Sequence, residues 1–316
     1  IKTHNTSVSK AMHKMGAVAK YRMLLTGTPV TNRAIDIFSQ YKFLNPGVFG
    51  SSFYAFRSKY FFMTGYGQHT PVMKESMEGA FTRRMHSIAF RATKAECLDL
   101  PETTDIVRKV TLEPAAMKIY QNLVEQSYAE LVSGEEVTAP NVLTRLLRLS
   151  QLTGGFLGND ATEAVEAVST AKLAMLEDIV DASVQENQKI VVIARFVPEI
   201  DAIRKMLDRK GIHFSLIMGG VKDRDGQVRQ FQNDPAVQVF IGQIATAGMG
   251  LTLTAASTMV FYSLDYSMSN YEQCRARIHR AGQKFPCTYI HLVAKNTVDG
   301  KVLLALKNKA NLAKSL

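Results

Sequence analysis

The chain has 316 residues, of which 46% are hydrophobic and 21% charged, so it is long enough for two globular domains and is not intrinsically disordered. Its net charge of +10 and pI near 9.4 favour a polyanionic partner, although a basic surface that serves only solubility fits equally well. No apolar run approaches the ~18 residues of a membrane span, and the three cysteines and seven histidines lack the spacing of metal ligands, so we predict no membrane segment, no metal site and a reducing, cytoplasmic compartment.

The first hundred residues are predicted to be mainly helical. Helical periodicity covers Val8–Ala19, Ala34–Leu44 and Phe53–Phe62. Two short apolar segments, Tyr21–Leu25 and Ile88–Arg91, are typical of strands, and the TGTP sequence at Thr26–Pro29 is typical of a turn. A domain boundary is predicted near Pro101, where the Leu100-Pro101-Glu102 sequence interrupts the regular patterns.

Residues 101–170 are predicted to form a linker and helical insertion. Thr104–Leu112 alternates apolar and polar side chains, as a half-buried strand does. Glu113–Leu131 and Asn141–Leu152 have helical patterns, and the small, acidic stretch Asn159–Thr170 is predicted to be a linker.

From Ala171 onward, helices and strands alternate. The predicted strands are Lys189–Ile193, His213–Ile217, Val237–Ile241, Met259–Tyr262 and Thr288–Val293. The predicted helices are Ala171–Val184, Val197–Lys210, Arg224–Gln232, Asn270–Ala281 and Val298–Ala313. Repeated units with apolar, β-branched strands indicate an α/β fold, in which a parallel sheet is covered by helices on both faces. Ligands of such sheets bind at the carboxyl ends of the strands.

The stretch Gln273–Gln283, QCRARIHRAGQ, carries two arginines three residues apart. Arg277 and Arg280 are predicted to share one face of a helix, from which two guanidinium groups can bind a triphosphate. A solvated helix face is the alternative, and we favour it less because IATAGMGLTLTAA at Ile244–Ala256 precedes the pair. Gly248 and Gly250 in that segment allow close approach of a phosphate, although a tight turn explains them equally well.

Two parts of an ATP-hydrolysing site are absent from this sequence. The only Gly-Lys pair, Gly300-Lys301, is followed by Val302, so no G-x-x-x-x-G-K-[ST] loop is present to hold phosphates. No Asp is followed by Glu, and Asp265 is the best substitute for a metal-binding acidic pair. We therefore do not expect this polypeptide to hydrolyse ATP unaided.

Several segments, in order, resemble motifs III to VI of the SWI/SNF-type DNA translocases, a group of superfamily-two helicases. The segments are LLTGTPVTN (Leu24–Asn32) for motif III, FRATK (Phe90–Lys94) for the basic turn before the second lobe, KIVVIARF (Lys189–Phe196) for motif IV, Ile244–Ala256 for motif V and Gln273–Gln283 for motif VI. The sequence departs from the family pattern at Ala276, where Asp is frequent, and at Arg195, where Gln is usual. It also has no tryptophan, which often precedes motif VI.

The resemblance implies the C-terminal portion of such an enzyme. Residues 1–100 are expected to be a mainly helical remnant of the first lobe, residues 101–170 a linker and helical insertion, and residues 171–316 a RecA-like second lobe. IKTHNTS at the start resembles the sequence that follows the acidic box, so the phosphate-binding loop and that box are expected upstream. ATP and Mg²⁺ are accordingly expected to be held mainly by the first lobe.

The resemblance also assigns roles to single residues. Arg277 and Arg280 are implied to be catalytic, and Gln273, Gly248 and Gly250 to lie at the nucleotide. The residues implied to contact DNA or to couple it to the nucleotide are Thr26, Gly27, Thr28, Thr246, Arg91 and Lys94. An ordinary turn or a solvated basic face remains an alternative for several of them.

Two hypotheses for function follow. In the first, the chain is part of an ATP-dependent translocase on duplex DNA, bound mainly through the phosphate backbone. In the second, it is a non-catalytic DNA-binding or protein-docking module. The absence of long insertions favours a bacterial or phage source and an association with the nucleoid. The biological process is left open.

Overall fold

The computed structural model describes residues 1–27, 29–30, 33–65, 70–132, 139–158, 165–247 and 250–315. These residues form two compact units. The N-terminal unit comprises residues 1–97, 267–269 and 308–316, and the sheet unit comprises residues 98–266 and 270–307.

The N-terminal unit is built from short helices and one small hairpin. The helices are α1 (Ser7–Val18), α2 (Ile37–Leu44, after a 3-10 turn at Ala34–Asp36), α3 (Pro46–Phe49), α4 (Phe53–Tyr60), α5 (Glu75–His86) and α6 (Lys94–Cys97). Strand β1 (Phe61–Thr64) pairs antiparallel with β2 (Thr70–Met73). Side-chain oxygens of Thr6, Asn45 and Ser52 accept hydrogen bonds from the first turns of α1, α3 and α4, which sets where each helix begins.

Aromatic side chains form the core of this unit. The buried rings are Phe38, Tyr41, Phe49, Phe56, Tyr60, Phe61 and Phe81. Neighbouring rings lie at centroid distances of 5.1–6.2 Å, most of them edge-on or tilted, and Phe49 stacks on Phe81. Short helices can close around such a core because each ring buries a large apolar area.

The two strands predicted in the first hundred residues are absent. Tyr21–Leu25 and Ile88–Arg91 are irregular, with no strand paired to them among the described residues. The side chains of Tyr21, Leu25 and Phe90 are 83%, 88% and 94% exposed. An apolar segment becomes a strand only where a neighbour satisfies its backbone N–H and C=O groups, and here none does.

The sheet unit confirms the predicted α/β fold with a parallel sheet flanked by helices. Its strands are β3 (Thr103–Val110), β6 (Lys189–Ala194), β7 (His213–Ile217), β8 (Val237–Gln243), β9 (Ala256–Phe261) and β10 (Cys287–Ala294). They pair in parallel in the order β3-β10-β9-β6-β8-β7. A separate pair of antiparallel strands, β4 (Phe156–Gly158) and β5 (Val165–Ala167), precedes the alternating units.

The helices follow in chain order. They are α7 (Pro114–Val132), α8 (Ala139–Thr153), α9 (Ala171–Gln185), α10 (Val197–Lys210), α11 (Arg224–Asn233), α12 (Ile244–Ala247), α13 (Met268–Ile278) and α14 (Val298–Ser315). Apolar residues of α9 and α10 pack against the central strands, and Leu176, Ile190, Ile203 and Val239 are fully buried there. The central strand β6 reads as a nearly continuous apolar run because both of its faces are covered, whereas most of the edge strand β3 is exposed.

A buried carboxyl group fixes the carboxyl end of β6. Glu199 accepts hydrogen bonds from the backbone N–H groups of Arg195 (3.1 Å) and Phe196 (3.0 Å) and from the hydroxyl of Ser263 (2.5 Å). Burial raises the pKa of Glu199 to about 7, although these hydrogen bonds and the charge of Lys172 oppose the shift. The turn from β6 into α10 is therefore held by a side chain from the first turn of that helix.

Candidate nucleotide site

The helix that carries Arg277 ends earlier than predicted. Helix α13 ends at Ile278, so Arg280 lies beyond it and the two arginines do not share a helix face. The amide nitrogen of Gln283 donates to the carbonyls of Ile278 (3.0 Å) and Ala256 (2.9 Å), and these bonds hold the chain in a turn. A helix ends where another group takes over its last carbonyls, and here a side chain does so.

Gln283 is a buried polar anchor of this turn. Its side-chain nitrogen also reaches the carbonyl of Thr254 at 3.4 Å, and its side-chain oxygen accepts from the N–H groups of Lys284 (2.9 Å) and Phe285 (3.0 Å). Both ends of the amide are used, which joins the end of α13 to the start of β9.

The structure nevertheless brings Arg277 and Arg280 together. The Nη1 atoms of Arg277 and Arg280 donate to the same carbonyl, that of Leu251, at 3.2 and 3.0 Å. Arg277 Nε also donates to the carbonyl of Gln273 at 2.7 Å, and the N–H of Leu253 donates to the carbonyl of Arg277 at 2.9 Å. The carbonyl of Leu251 thus aligns two guanidinium groups near the end of α13, beside the start of β9.

The pair of guanidinium groups has no acidic partner. Within the described part of the chain, no carboxylate oxygen lies within 4 Å of Arg277 or Arg280. Burial lowers the pKa of Arg277, and the positive charge of Arg280 lowers it further, although an arginine stays protonated at any physiological pH. Two adjacent cations without a counter-ion make a site suited to a polyanion.

The other predicted nucleotide residues lie on the same two segments. Gln273 is half-buried on α13, one turn before Arg277. Gly250 is exposed, with φ at +70°, a conformation that favours glycine, and a Cβ added there would meet nothing within 4 Å. Gly248 lies outside the described residues. Thr246, on α12, donates its hydroxyl to the carbonyl of Gln243 at 3.1 Å, so its proton serves the local turn.

The remaining predicted DNA contacts belong to the N-terminal unit. Thr26 and Gly27 lie in an exposed irregular segment, and Thr28 is outside the described residues. Arg91 is exposed in the segment before α6, and Lys94 is the first residue of that helix. The structure thus groups these residues in two separate stretches of the chain.

The net charge is distributed unevenly along the sequence. Residues 1–97 contain 14 lysines and arginines against 4 aspartates and glutamates, whereas residues 98–316 contain 24 of each. The whole surplus of +10 therefore lies in the first 97 residues. The composition of the entire chain does not show this asymmetry, but counts for each unit do.

Part of this charge is concentrated around His4. The imidazole of His4 stacks on Phe53 at 3.5 Å, and Lys42 Nζ lies 5.9 Å from the centre of the Phe38 ring beside it. Burial lowers the pKa of His4, and so do the positive charges of Lys42, His13, Arg57 and Lys10. In the parts of the chain that the structure describes, no carboxylate lies within 4 Å of Lys10, Lys42 or Arg57. We call Lys10, Lys42 and Arg57 the cationic cluster.

Two negative findings complete the description. No group of three or more His, Cys, Asp or Glu side chains able to hold a metal ion occurs among the described residues. No helix found in those residues has the length and apolar character needed to cross a membrane.

Two family models match most of the chain. Residues 1–154 match the model of the SNF2-related domain, and residues 171–282 match that of the helicase conserved C-terminal domain. Together the two models match 266 of the 316 residues, in the order that the motifs predicted.

Curated relatives and solved structures agree with these matches. An uncharacterized ATP-dependent helicase of Mycoplasma pneumoniae is 26% identical over 321 residues, which take in 99% of this chain and 29% of the relative. The DNA repair and recombination protein RDH54 of Saccharomyces cerevisiae is 27% identical over 309 residues, 89% of this chain and 33% of the relative. The chain therefore spans about a third of the length of these relatives.

A solved structure shares both sequence and fold with the chain. The SWI2/SNF2 ATPase core of Sulfolobus solfataricus in complex with dsDNA is 26% identical, with a TM-score of 0.55 over 100% of this chain and 66% of that one. The chain therefore consists largely of an SNF2-related domain followed by a helicase conserved C-terminal domain.

Proposed function

We propose that the chain is the C-terminal part of a DNA-dependent ATPase that couples ATP hydrolysis to movement along duplex DNA. One observation carries the proposal: the guanidinium groups of Arg277 and Arg280 meet at the carbonyl of Leu251, and no acidic side chain of the described residues lies within 4 Å of them. Arginines held in this way stabilise the negative charge that develops when a phosphoryl group is transferred.

The two arginines keep most of their hydrogen-bonding capacity for a ligand. Each guanidinium has five N–H donors. Within the described residues, Arg277 uses Nε and Nη1, and Arg280 uses Nη1. The carbonyl of Leu251 orients both groups, and their other donors suit phosphate oxygens. We assign Gln273, Gly250 and Gly248 to the same nucleotide site.

The residues present fit the phosphates of ATP but not a metal ion. No acidic cluster suited to Mg²⁺ occurs in the described residues, and the sequence has neither a phosphate-binding loop nor an Asp-Glu pair. We propose that residues outside this sequence supply both, and that the 316 residues alone do not hydrolyse ATP. Residues 1–100 then belong to the first lobe, residues 101–170 to a connecting region that also contributes β3 to the sheet, and residues 171–316 to the second lobe.

We propose that DNA binds mainly through its phosphates. The surplus charge of +10 in residues 1–97 supports this, because phosphate contacts by Lys and Arg dominate sequence-independent binding. We assign Arg91, Lys94 and Thr246 to phosphate contact and Thr26, Gly27 and Thr28 to coupling between DNA and nucleotide. A bacterial or phage source and an association with the nucleoid stay predictions.

A second candidate function rests on the same charge asymmetry. A stand-alone module that binds nucleic acid without catalysis needs a basic surface and no phosphate-binding loop, and both features hold for this sequence. The two functions differ in whether the arginine pair matters for turnover.

ATPase measurements on three proteins distinguish them. The full-length protein, its Arg277→Ala/Arg280→Ala variant and the 316-residue chain are assayed with and without duplex DNA. We expect DNA-stimulated turnover in the full-length protein only. If the full-length protein has no DNA-stimulated turnover while the short chain binds DNA tightly, the module is the correct function and the arginine roles are wrong.

A further inference from the structure

A third arginine of the same segment is bound to a distant strand. Both Nη atoms of Arg275, on α13, donate to the two carboxylate oxygens of Asp105 on β3, with the Nη2–Oδ2 distance at 3.0 Å. The guanidinium lies 3.7 Å from the centre of the Tyr289 ring on β10, and its side chain is 16% exposed. Two parallel hydrogen bonds and a stacked ring define one orientation of this side chain.

A chain of hydrogen bonds continues from Arg275 into the sheet. Arg275 Nη1 donates to the hydroxyl of Tyr271 at 2.9 Å, and that hydroxyl lies 2.9 Å from His291 Nε2. Burial lowers the pKa of His291 to about 4, although Asp105 acts in the opposite direction, so the ring is neutral at pH 7. The Tyr271 hydroxyl accepts a hydrogen bond from Arg275 and donates its own hydrogen to Nε2, because His291 Nδ1 faces a carbonyl, which can only accept.

The histidine completes the link to the edge strand. With Nε2 as acceptor, His291 carries its proton on Nδ1, which faces the carbonyl of Ile106 at 3.4 Å. The hydroxyl of Tyr289 donates to the carbonyl of Arg275 at 3.0 Å. Side chains of β3 and β10 therefore hold both the side chain and the backbone of α13 at Arg275.

This anchorage lies opposite the catalytic face of the helix. At 3.6 residues per turn, Arg275 and Arg277 are separated by about 200° around the helix axis. One face of α13 is thus fixed to β3 and β10, while the other carries Arg277 towards the carbonyl of Leu251. Any roll of the helix about its axis would move the Arg277 guanidinium away from that carbonyl.

We propose that Arg275 and Asp105 form a positioning pair that sets the rotation of α13 and thereby the placement of Arg277 and Arg280. The inference rests on the proposed function, because it assigns a purpose to the placement of those two arginines. Arg275 does not touch the nucleotide in this scheme. It acts through the helix that it shares with Arg277.

The test compares turnover in the full-length protein with duplex DNA present. The variants are Arg275→Met, Asp105→Asn, Arg275→Met/Asp105→Asn, Arg277→Ala/Arg280→Ala and the triple variant Arg275→Met/Arg277→Ala/Arg280→Ala. Arg209→Met is the matched control, since Arg209 pairs with Glu177 at 3.5 Å on an exposed surface of the same unit. For each, kcat, KM for ATP and melting temperature are measured.

We expect Arg275→Met and Asp105→Asn to lower kcat by roughly 10- to 100-fold with little change in KM, as misplacement of a catalytic group does. The Arg275→Met/Asp105→Asn variant should be no slower than Arg275→Met, and Arg275→Met should add no loss in the background that lacks Arg277 and Arg280. Arg209→Met should match the parent. If Arg275→Met does not fold, Arg275→Lys, which keeps the charge without the two parallel bonds, should show a smaller loss of kcat.

The outcomes that overturn the inference are distinct. A folded Arg275→Met or Arg275→Lys protein with the parent kcat overturns it, as does a full additional loss in the background without Arg277 and Arg280. If the Arg277→Ala/Arg280→Ala variant itself keeps the parent kcat, the proposed function fails and this inference fails with it. Loss in that variant without loss at Arg275 overturns the inference alone.

Discussion

The N-terminal unit and the sheet unit differ in where they carry charge and in how they complete their backbone hydrogen bonds. Residues 1–97 hold the whole surplus of +10, whereas the rest of the chain is neutral. The sheet unit pairs six strands in parallel, but the N-terminal unit exposes unpaired apolar segments such as Tyr21–Leu25. Under the proposed function, most contacts to DNA belong to the N-terminal unit, and the phosphoryl chemistry belongs to the sheet unit.

Loss of Arg280, to which we assign a catalytic role, should have the largest effect of these changes. It should lower turnover without changing DNA affinity. We expect Arg280→Ala to lower the DNA-stimulated kcat of the full-length protein by about 10³-fold or more, because an arginine at the transferred phosphoryl group contributes that much. Steady-state ATPase assays measure this, and fluorescence anisotropy measures DNA affinity, which should not change. A matching loss of DNA affinity would contradict the division between the units.

The two units should also respond separately to damage in the core. Leu176→Ala removes a fully buried side chain between α9 and the central strands, and we expect the free energy of unfolding of the sheet unit to fall by about 2–5 kcal/mol. Urea denaturation followed by hydrogen exchange measures both units. Leu304→Ala, at a site that is 60% exposed, is the control. Equal destabilisation around Phe81 in the N-terminal unit would show that the two units unfold as one.

The free energy of unfolding of the sheet unit should fall at acidic pH because His291 is harder to protonate in the folded than in the unfolded protein. Its pKa is about 4 in the folded protein, mainly because of burial, and 6.5 in a model peptide. The unfolded state therefore binds more protons between these values, so the contribution of His291 is complete above pH 6.5 and is lost as the pH falls towards 4. The loss amounts to at most about 3 kcal/mol. In urea denaturation at several pH values, His291→Gln should flatten this slope, and an unchanged slope would contradict the assignment.

Removal of two of the three charges of the cationic cluster should have the smallest effect, and it should change DNA binding without changing the intrinsic ATPase activity. We expect Lys42→Ala/Arg57→Ala to weaken DNA binding about tenfold and to reduce the slope of log K against log salt by about 1.8, as expected for two lost phosphate contacts. Anisotropy titrations over a range of salt concentrations measure both quantities. Lys205→Ala/Arg209→Ala, which removes two exposed charges from α10, is the control. Equal losses in both variants would show that the position of the charge is unimportant.

The central sheet could be predicted closely because its signal is local. Strand Lys189–Ala194 differs by one residue from the predicted Lys189–Ile193, since a run of β-branched residues between two helical patterns has few alternatives. The same signal failed at Tyr21–Leu25. That segment has the composition of a strand, but whether it forms one depends on a neighbouring strand rather than on its own residues.

The candidate site was predictable in its residues but not in its geometry. The sequence identified Arg277 and Arg280 as a pair, yet it placed both on one helix face. Their actual meeting point is the carbonyl of Leu251, and a backbone oxygen has no sequence signature. Asp105 is 170 residues from Arg275, and no pattern in a single sequence connects two positions so far apart.

The buried amide of Gln283 has a consequence for chemical ageing. Its nitrogen faces the carbonyls of Ile278, Ala256 and Thr254, while its oxygen accepts two N–H groups. Deamidation would leave the shape of the side chain unchanged but replace the donor end with a second oxygen, set against three carbonyl oxygens. A single hydrolysed amide would then release the turn that brings Arg280 to Arg277, so an aged protein would lose turnover while keeping its sheet.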